Sequence, residues 1–430
     1  MTVKFLRLRN FRNYALQEAG FSDKLNILYG ENAQGKTNIL EAIFLCSTGR
    51  SHRTQKDAEL IKFGEDAAVV ELEMEREHYG VFKIEIEIKK NGRKSIVING
   101  VPQRRAGDLL GRLNCAMFSP EDLGIIKDEP QIRRRFLDMF ISQIKPAYYF
   151  NLQRYLGALR QRNALLKQAK ENPRLLDSIG AWDSQLAGLG SKVMRERIYF
   201  LDLISEAAKT NYAQITNGRE ELAVAYDPSV KIGAYDPPAK IDAYDPPVKI
   251  GAYDPPAKID ACDPSAKIDA YDPPAKIDAS GISGRGKNHM EEHIAGAFAE
   301  ALESGLRADV ARAATQYGPH KDDIACAVDG RNLRLYGSQG QQRTAALALK
   351  MAQVDVMALE TGDVPVLLLD DVMSELDSGR RENLSVNMKA AQTFITGTER
   401  YAPATRDAPN MPGAAAYFLI NAGQITSEHV

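Results

Sequence analysis

The sequence predicts an α/β protein with a compact helical lobe inserted between two α/β segments. Three observations support this: a glycine-rich loop that joins a strand to a helix near residue 30, an apolar strand that ends in two aspartates near residue 370, and apolar residues at three- and four-residue spacing from about 129 to 210. They predict an N-terminal lobe over residues 1–128, a helical lobe over 129–315 and a C-terminal lobe over 316–430.

The elements of the two outer lobes follow from local patterns. Residues 5–8 and 25–29 are predicted as strands, and residues 38–45 as a helix. Apolar and charged side chains alternate over residues 82–88, which is typical of a half-buried strand, and Asn91-Gly92 then predicts a hairpin turn. The C-terminal lobe begins after a predicted helix over residues 290–314 and contains a second helix over 341–359.

Composition limits the classes of partner. The chain has 55 Lys+Arg against 57 Asp+Glu, so a nucleic-acid surface must be a local basic patch. The cysteines show no paired spacing, and the N-terminus has no apolar signal core, which together favour a cytoplasmic protein; they are Cys46, Cys115, Cys262 and Cys326. No apolar run is long enough to predict a membrane span.

Residues 226–279 form six copies of a nine-residue unit of the type YDPPAKIDA, and ten of the chain's 20 prolines lie there. Each Asp-Pro step favours an extended or turn conformation, and one isoleucine per unit cannot build a core. The segment is therefore interpreted as a flexible loop insertion that is dispensable for chemistry. A β-solenoid is the alternative, but adjacent prolines leave few N–H groups for a ladder.

A phosphate-binding loop is predicted directly after the strand at residues 25–29. The motif GENAQGKT matches G-x4-G-K-[ST], and its residues are Gly30, Glu31, Asn32, Ala33, Gln34, Gly35, Lys36 and Thr37. Its backbone N–H groups and the following helix N-terminus suit the phosphates of ATP. Lys36 is expected to reach the β- and γ-phosphates, and the Thr37 hydroxyl is expected to bind Mg²⁺.

The apolar strand VPVLLLDD ends in Asp370 and Asp371. Buried parallel strands are continuous apolar runs, and ligands bind beyond their carboxyl ends. Asp370 is therefore predicted to hold Mg²⁺ and Asp371 to polarise an attacking water. A core strand followed by helix-capping aspartates is the alternative, which the phosphate loop in the same chain makes less attractive.

A second phosphate-binding element is predicted where SQGQ precedes a helix, and it contains Ser338, Gly340 and Gln341. This sequence resembles the signature motif of ABC-type ATPases, which binds the γ-phosphate of ATP held by the opposite subunit. It has no lysine because the partner's loop supplies one. The predicted fold is thus an ABC-type P-loop ATPase head, completed only by a second copy; an ordinary turn and helix cap is the alternative.

Other charged motifs carry weaker signals. Arg50, Arg53, Arg104 and Arg105 are candidate DNA contacts, as is the Arg133–135 cluster, although such runs are more often solvated faces. The sequence HMEEH from His289 to His293 fits an inverted zinc-protease pattern. A solvated helix start is the preferred interpretation, because no third ligand is evident.

Eight blocks together resemble the RecF family of DNA replication and repair proteins. They are NFRNY, YGENAQGKTNILEAI, RSHRT, FSPEDL, RRRFLD, YGPHKDD, SQGQQRT and LLLDDVMSELD. The resemblance implies an ATP-dependent homodimer on DNA, at single-strand gaps and duplex junctions, that cooperates with RecR and RecO to load RecA. It also implies that Arg12 and Asn13 touch the nucleotide.

Two departures from general ABC enzymes predict a weak ATPase that acts as a switch. Asp371 stands where a glutamate is usual, and no histidine follows TFITGT at residues 393–398. The remaining alternatives are an SMC-like structural tether, which needs long heptad runs, and the energising subunit of a transporter.

Overall fold

The computed structural model describes residues 1–76, 79–232, 284–375, 380–381, 384, 390–400 and 415–428. The strands are β1 (Thr2–Phe11), β2 (Tyr14–Gly20), β3 (Leu25–Tyr29), β4 (Ala67–Arg76), β5 (Gly80–Lys89), β6 (Ser95–Ile98), β7 (Val101–Pro102), β8 (Cys115–Phe118), β9 (Leu222–Asp227), β10 (Asp323–Val328), β11 (Arg331–Asn332), β12 (Val366–Leu369), β13 (Thr393–Gly397), β14 (Ala416–Asn421) and β15 (Gln424–Glu428). The helices are α1 (Lys36–Thr48), α2 (Gly124–Lys127), α3 (Pro130–Ile144), α4 (Pro146–Ala169), α5 (Ile179–Thr216), α6 (Gly284–Arg312), α7 (Leu333–Tyr336), α8 (Gln339–Thr361) and α9 (Val372–Glu375). Short 3₁₀ turns occupy Asp57–Leu60, Ala106–Leu109, Pro120–Leu123 and Pro173–Ser178.

Two six-stranded sheets enclose helix α1. One sheet is antiparallel, in the order β2-β1-β4-β5-β6-β7, and its alternating apolar residues pack on α1. The other has the order β15-β14-β3-β13-β12-β8, and its strands are parallel except β15. Because parallel strands end at the same edge, the segments after β3, β12 and β13 converge there. That edge positions the predicted phosphate loop and aspartates together.

The helical lobe has its own core. Helices α3, α4, α5, α6 and α8 pack with a three-stranded sheet of order β11-β10-β9. Helix α5 buries large side chains on this core, among them Phe200, Leu201 and Ile204. These five helices therefore form a compact body, as the absence of sustained heptads predicts. None of the described helices is both long and apolar enough to cross a membrane.

The predicted α/β class with a compact helical lobe is confirmed by the two sheets around α1 and the separate helical core. The strand predicted over residues 25–29 is β3, and the alternating segment 82–88 lies within β5. The predicted helices over 290–314 and 341–359 lie largely in α6 and α8. The local spacing of apolar residues was sufficient to predict these elements.

The prediction that all six repeats form a loop insertion is wrong for the first copy. Its Tyr226 belongs to β9, is buried, and donates a hydrogen bond to Asp322. Val230 and Ile232 of the same copy are also buried. The first copy is thus part of the helical-lobe core, because its strand pairs with β10 and its apolar side chains are buried in that core. The other five copies, and the β-solenoid alternative for them, lie outside the described residues.

The zinc-protease pattern has no support within the described residues. His289 and His293 are exposed on α6, and Glu291 pairs with Arg195. No group of three or more described His, Cys, Asp or Glu side chains could hold a metal ion. The motif is a solvated helix start.

Candidate nucleotide site

The loop between β3 and α1 depends on two glycines. Gly30 has φ +146°, and a Cβ there would lie 2.3 Å from the Ile420 carbonyl oxygen. Gly35 has φ +116°, and a Cβ there would lie 2.6 Å from Nδ2 of Asn13. Both positions combine a backbone conformation that disfavours side chains with a close neighbour. The motif glycines are therefore required by this loop's own geometry.

Neighbouring segments hold the loop from outside. Asn13 Nδ2 donates to the Gln34 carbonyl (2.7 Å), and the Tyr14 hydroxyl donates to the Gly35 carbonyl (3.0 Å). On the other side, the Ala422 N–H donates to Oε1 of Gln34 (2.6 Å). Asn13, predicted to touch the nucleotide, thus lies directly against the phosphate loop. Tyr14 and Ala422 carry no chemical motif, so local sequence patterns could not identify them.

The side chain of Lys36 folds back onto the start of the phosphate loop. Its Nζ donates to the carbonyls of Gly30 (2.7 Å) and Glu31 (2.8 Å). Burial lowers the pKa of Lys36, against the opposing attraction of Asp371 and Asp370. The ammonium is therefore held by carbonyls of the loop and attracted electrostatically by the two aspartates.

Asp370 joins the loop to the ends of two strands. Its Oδ1 accepts hydrogen bonds from the hydroxyls of Thr37 and Thr396, both at 2.8 Å. Burial raises the pKa of Asp370, while these hydrogen bonds act in the opposite direction. Asp371 follows with φ +54°, and its N–H donates to the Thr396 hydroxyl (2.9 Å). Thr396 was not predicted; only the parallel pairing of β13 with β12 brings it here.

The oxygen set at Thr37 and Asp370 fits Mg²⁺. Mg²⁺ prefers hard oxygen ligands and commonly takes one or two protein oxygens, with substrate phosphates and waters completing its shell. A hydroxyl and a carboxylate already in hydrogen-bond contact meet that requirement. The ion would supply charge neutralisation at the phosphates.

Arg12 faces a buried acid. Its Nε and Nη2 donate to Glu41 at 2.8 Å and 2.7 Å, and its Nη1 donates to the Glu59 carbonyl at 2.8 Å. Glu41 lies on α1, also accepts from Ser51, and is fully buried. Glu41 was missed by the sequence analysis, although an acid among the apolar residues of a predicted buried helix is a usable signal.

Ser338 caps helix α8. Its hydroxyl accepts from the Gln341 N–H (3.2 Å), and the Gln341 side chain accepts from the Ser338 N–H (2.8 Å). Ser338 and Gly340 are exposed. Outside α8, this segment hydrogen-bonds with Glu220, Leu333 and Arg380, and none of its hydrogen bonds to described residues reaches the phosphate loop. The structure thus places the two predicted phosphate-binding elements in separate environments.

The predicted DNA contacts divide into two kinds. Arg50, Arg104 and Arg105 are exposed, and Arg105 lies over the Phe150 ring. Arg53 is exposed as well, and its Nη1 donates to Oδ1 of Asn38 (3.1 Å). Arg133, from the cluster at 133–135, is buried in an ion pair with Asp323 (2.6 Å). Arg133 is therefore withdrawn as a candidate DNA contact, because its charge is buried and neutralised by the ion pair.

The YGPHKDD block makes hydrogen bonds within the helical lobe. His320 Nδ1 lies 2.6 Å from the Tyr155 hydroxyl, and its Nε2 lies 3.1 Å from the Thr315 carbonyl. The carbonyl can only accept, so Nε2 carries the proton and Nδ1 accepts from Tyr155. Burial lowers the pKa of His320 to about 4. The neighbouring Pro319 carbonyl accepts from the buried Arg197 at 2.5 Å.

Comparison with known proteins agrees with the fold and motifs. Residues 2–405 match the family model RecF/RecN/SMC N terminal domain. The DNA replication and repair protein RecF of Acetivibrio thermocellus is 39% identical over 400 residues, covering 93% of this chain and 94% of its own. RecF of Alkaliphilus oremlandii is 37% identical over 425 residues, covering 99% and 100%.

A solved structure is similar over almost the whole length. The recombination mediator protein RecF-ATP of the RecFOR pathway is 32% identical, with a TM-score of 0.79 over 100% of this chain and 98% of its own. The RecF-ATPrS structure gives 32% identity and a TM-score of 0.78. The chain belongs to the RecF family of DNA replication and repair proteins.

Proposed function

We propose that this chain is an ATP-dependent DNA-binding switch of recombinational repair. Two copies close around ATP and Mg²⁺ on DNA, help to load RecA at single-strand gaps, and separate after slow hydrolysis. The observation that carries the proposal is that the lysine-bearing loop and the exposed N-terminus of α8 have separate hydrogen-bond partners. Each element provides half of what a triphosphate needs, so a second copy completes the site.

The exposed surface beside Ser338 supports a second copy as the completing partner. Leu335 and Tyr336 directly precede the SQGQ segment and are 61% and 66% exposed. Apolar and aromatic side chains are enriched at protein–protein interfaces, where association buries them. The helix N-terminus offers N–H groups and a positive dipole end to the phosphate held by the partner.

The active residues have distinct roles in the proposal. Lys36 neutralises charge on the β- and γ-phosphates, and Thr37 with Asp370 holds Mg²⁺. Asp371 orients the attacking water, and its backbone is fixed by the hydrogen bond to Thr396. An aspartate has a shorter reach than a glutamate, so slow hydrolysis is expected, as suits release of a clamp.

The partners follow from the family. A relative is described as the recombination mediator RecF-ATP of the RecFOR pathway, which supports RecR and RecO as partners and ATP as ligand. DNA at gaps and duplex junctions and a cytoplasmic location complete the proposal. Family membership removes the support for a transporter subunit. A long structural tether is disfavoured because the described helices pack into one compact lobe.

The test compares two variants by sedimentation with and without ATP. Lys36→Ala removes a charge-assisted contact and should weaken ATP binding by roughly 10- to 100-fold, with loss of dimers. Ser338→Arg should keep monomer ATP binding but prevent dimerisation. Ser304→Arg, the same change at an exposed position of α6, is the control and should dimerise normally. Normal dimerisation of the Ser338 variant would exclude the shared site.

A further inference from the structure

A cleft separates the α1–β4 connection from helices α3 and α4. It encloses about 760 Å³, and the residues used here are Arg50, Lys94, Arg134, Arg135, Tyr149 and Leu156. We call it the Arg134 cleft. Its volume is within the range of ligand-binding pockets. It is large enough for a short piece of one nucleic-acid strand and too small for a duplex.

The Arg134 cleft carries excess positive charge. Two carboxylates line it, and both are already paired: Asp57 with Lys94 (2.9 Å) and Asp138 with Arg197 (2.8 Å). The other cations are Arg50, Arg134 and Arg135, and none of them forms an ion pair with a described carboxylate. None of these three guanidinium groups is therefore neutralised by an ion pair within this part of the chain, although nearby aspartates attract Arg134.

Two of these guanidiniums are half-buried and hold backbone oxygens. Arg134 donates to the Asp322 carbonyl (2.7 Å), and Arg135 donates to the His52 carbonyl (3.2 Å). Burial lowers the pKa of both groups, and like-charge repulsion adds to this, from Arg197 on Arg134 and from Arg50 on Arg135; Asp323, Asp138 and Asp322 oppose it at Arg134. Guanidinium groups fixed in this way are pre-organised, and an incoming anion would relieve their repulsion.

Another part of the cleft lining is apolar and aromatic. Tyr149 and Leu156 lie on α4, and the Tyr149 ring packs edge-on against Phe150. Sites for single-stranded nucleic acid combine a cationic track for the backbone with aromatic rings for the bases. An acidic peptide would satisfy the charges but leave the aromatic wall without a planar partner.

We propose that the Arg134 cleft binds a single DNA strand, with Arg50, Arg134 and Arg135 on backbone phosphates and Tyr149 beside a base. The inference rests on the proposed function only in that the chain acts on DNA. It adds a strand-specific site in which one cleft brings together Arg50, Arg134 and Arg135, which the sequence analysis had named as DNA candidates in separate clusters. A site of this kind would let the protein recognise the unpaired part of a gap.

The experiment measures binding of a fluorescent oligothymidylate to the full chain over about 50 to 200 mM salt. The double variant Arg50→Gln, Arg134→Gln should bind roughly 25-fold more weakly near 0.1 M salt, and its log–log salt slope should be shallower by about 1.4, because each lost phosphate contact removes about 0.7. The double variant Arg174→Gln, Arg307→Gln removes two exposed charges elsewhere and is the control.

Tyr149→Leu separates stacking from charge. It should weaken binding by at least roughly fivefold and leave the salt slope unchanged, since stacking releases no counterions. An oligoglutamate of the same charge as the oligonucleotide should displace the strand poorly.

Two results would overturn the proposal. One is an unchanged salt slope in the Arg50, Arg134 variant; the other is displacement by oligoglutamate as effective as by unlabelled oligonucleotide, which would assign the cleft to an acidic protein segment. ATP-dependent dimerisation is measured in parallel. If all cleft variants still form dimers with ATP, a result against the cleft concerns this site alone. Failure of the proposed switch would look different: the wild-type chain itself would form no ATP-dependent dimer.

Discussion

The guanidinium of Arg12 and the carboxylate of Glu41 form a two-point ion pair between the β1–β2 turn and helix α1. Glu41 has no exposed side-chain surface, and Arg12 is 19% exposed. Arg12 has φ +54°, so the turn is held in a conformation that an unpaired arginine would rarely adopt. The pair therefore fixes the turn that carries Asn13 against the phosphate loop.

Glu41→Gln should reduce the free energy of unfolding by about 3 kcal/mol, because it removes one partner of a buried pair. Urea denaturation measures the change. The control is Glu18→Gln, which breaks the exposed Arg7–Glu18 pair (2.7 Å) and should cost about 1 kcal/mol or less. Similar losses of unfolding free energy in the two variants would contradict the claim that burial makes the Arg12–Glu41 pair more important than an exposed pair.

The effect of Glu41 should depend on pH. Burial raises its pKa, but the hydrogen bonds from Arg12 and Ser51 outweigh burial and leave the pKa below the ordinary value. A carboxyl group whose pKa is lower in the folded protein stabilises the fold at pH values above its unfolded pKa of about 4.3. That stabilisation is lost as the pH falls through the folded pKa. The difference between wild type and Glu41→Gln should therefore shrink below about pH 4.

Gly30→Ala should abolish tight nucleotide binding and destabilise the loop by about 1–3 kcal/mol or more, because the new methyl group meets the Ile420 carbonyl. Gly64→Ala is a matched control: Gly64 also has positive φ, +91°, but a Cβ there has no neighbour within 4 Å. Calorimetric titration with ATP should show loss only in the first variant. Equal losses would mean that backbone strain alone, without the close contact, decides the effect.

His320→Gln should change the pH dependence of stability. The folded pKa of His320, lowered to about 4, lies below its unfolded value of about 6.5. The unfolded chain therefore binds more protons between these values, and wild-type stability should fall as pH decreases from about 6.5 to 4, by roughly 3 kcal/mol from this group.

Thermal unfolding over that pH interval measures the slope for wild type and for His320→Gln. The variant should have the shallower slope, while the exposed His293→Gln should match wild type. An unchanged slope in the His320 variant would contradict the buried, neutral state. Retained ATP binding at neutral pH would fit a structural role for the YGPHKDD block.

Two deletions test the boundary of the repeats. Removing residues 235–279 should leave the unfolding free energy and ATP-dependent dimerisation nearly unchanged. Removing 226–279 also deletes the buried Tyr226, Val230 and Ile232, and should cost about 5 kcal/mol or more at roughly 1.5–3 kcal/mol per side chain. Denaturation of the two proteins side by side distinguishes them; equal stability would restore the interpretation that the first copy is also dispensable.

The family and much of the local structure could be predicted from the sequence. The segment 25–29, the glycine loop and helix α1 were recognisable because glycine placement and apolar periodicity act over a few residues. The first repeat was misread because its sequence, YDPSVKIGA, closely resembles the copies that follow. Its pairing with β10 and its hydrogen bonds to Asp322 are tertiary contacts that the local pattern does not reveal.

By itself the sequence determined the phosphate loop, the aspartate-ended strand, the SQGQ helix start and, through their order, the family. The tertiary structure alone decided that Thr396 meets Asp370, that Glu41 faces Arg12, and that Arg133 is buried while Arg134 lines a cleft. The physical reason is range. Backbone conformation and periodicity are set by neighbours along the chain, whereas the partner of a charge or hydroxyl is set by sheet order and lobe packing, which join residues hundreds of positions apart.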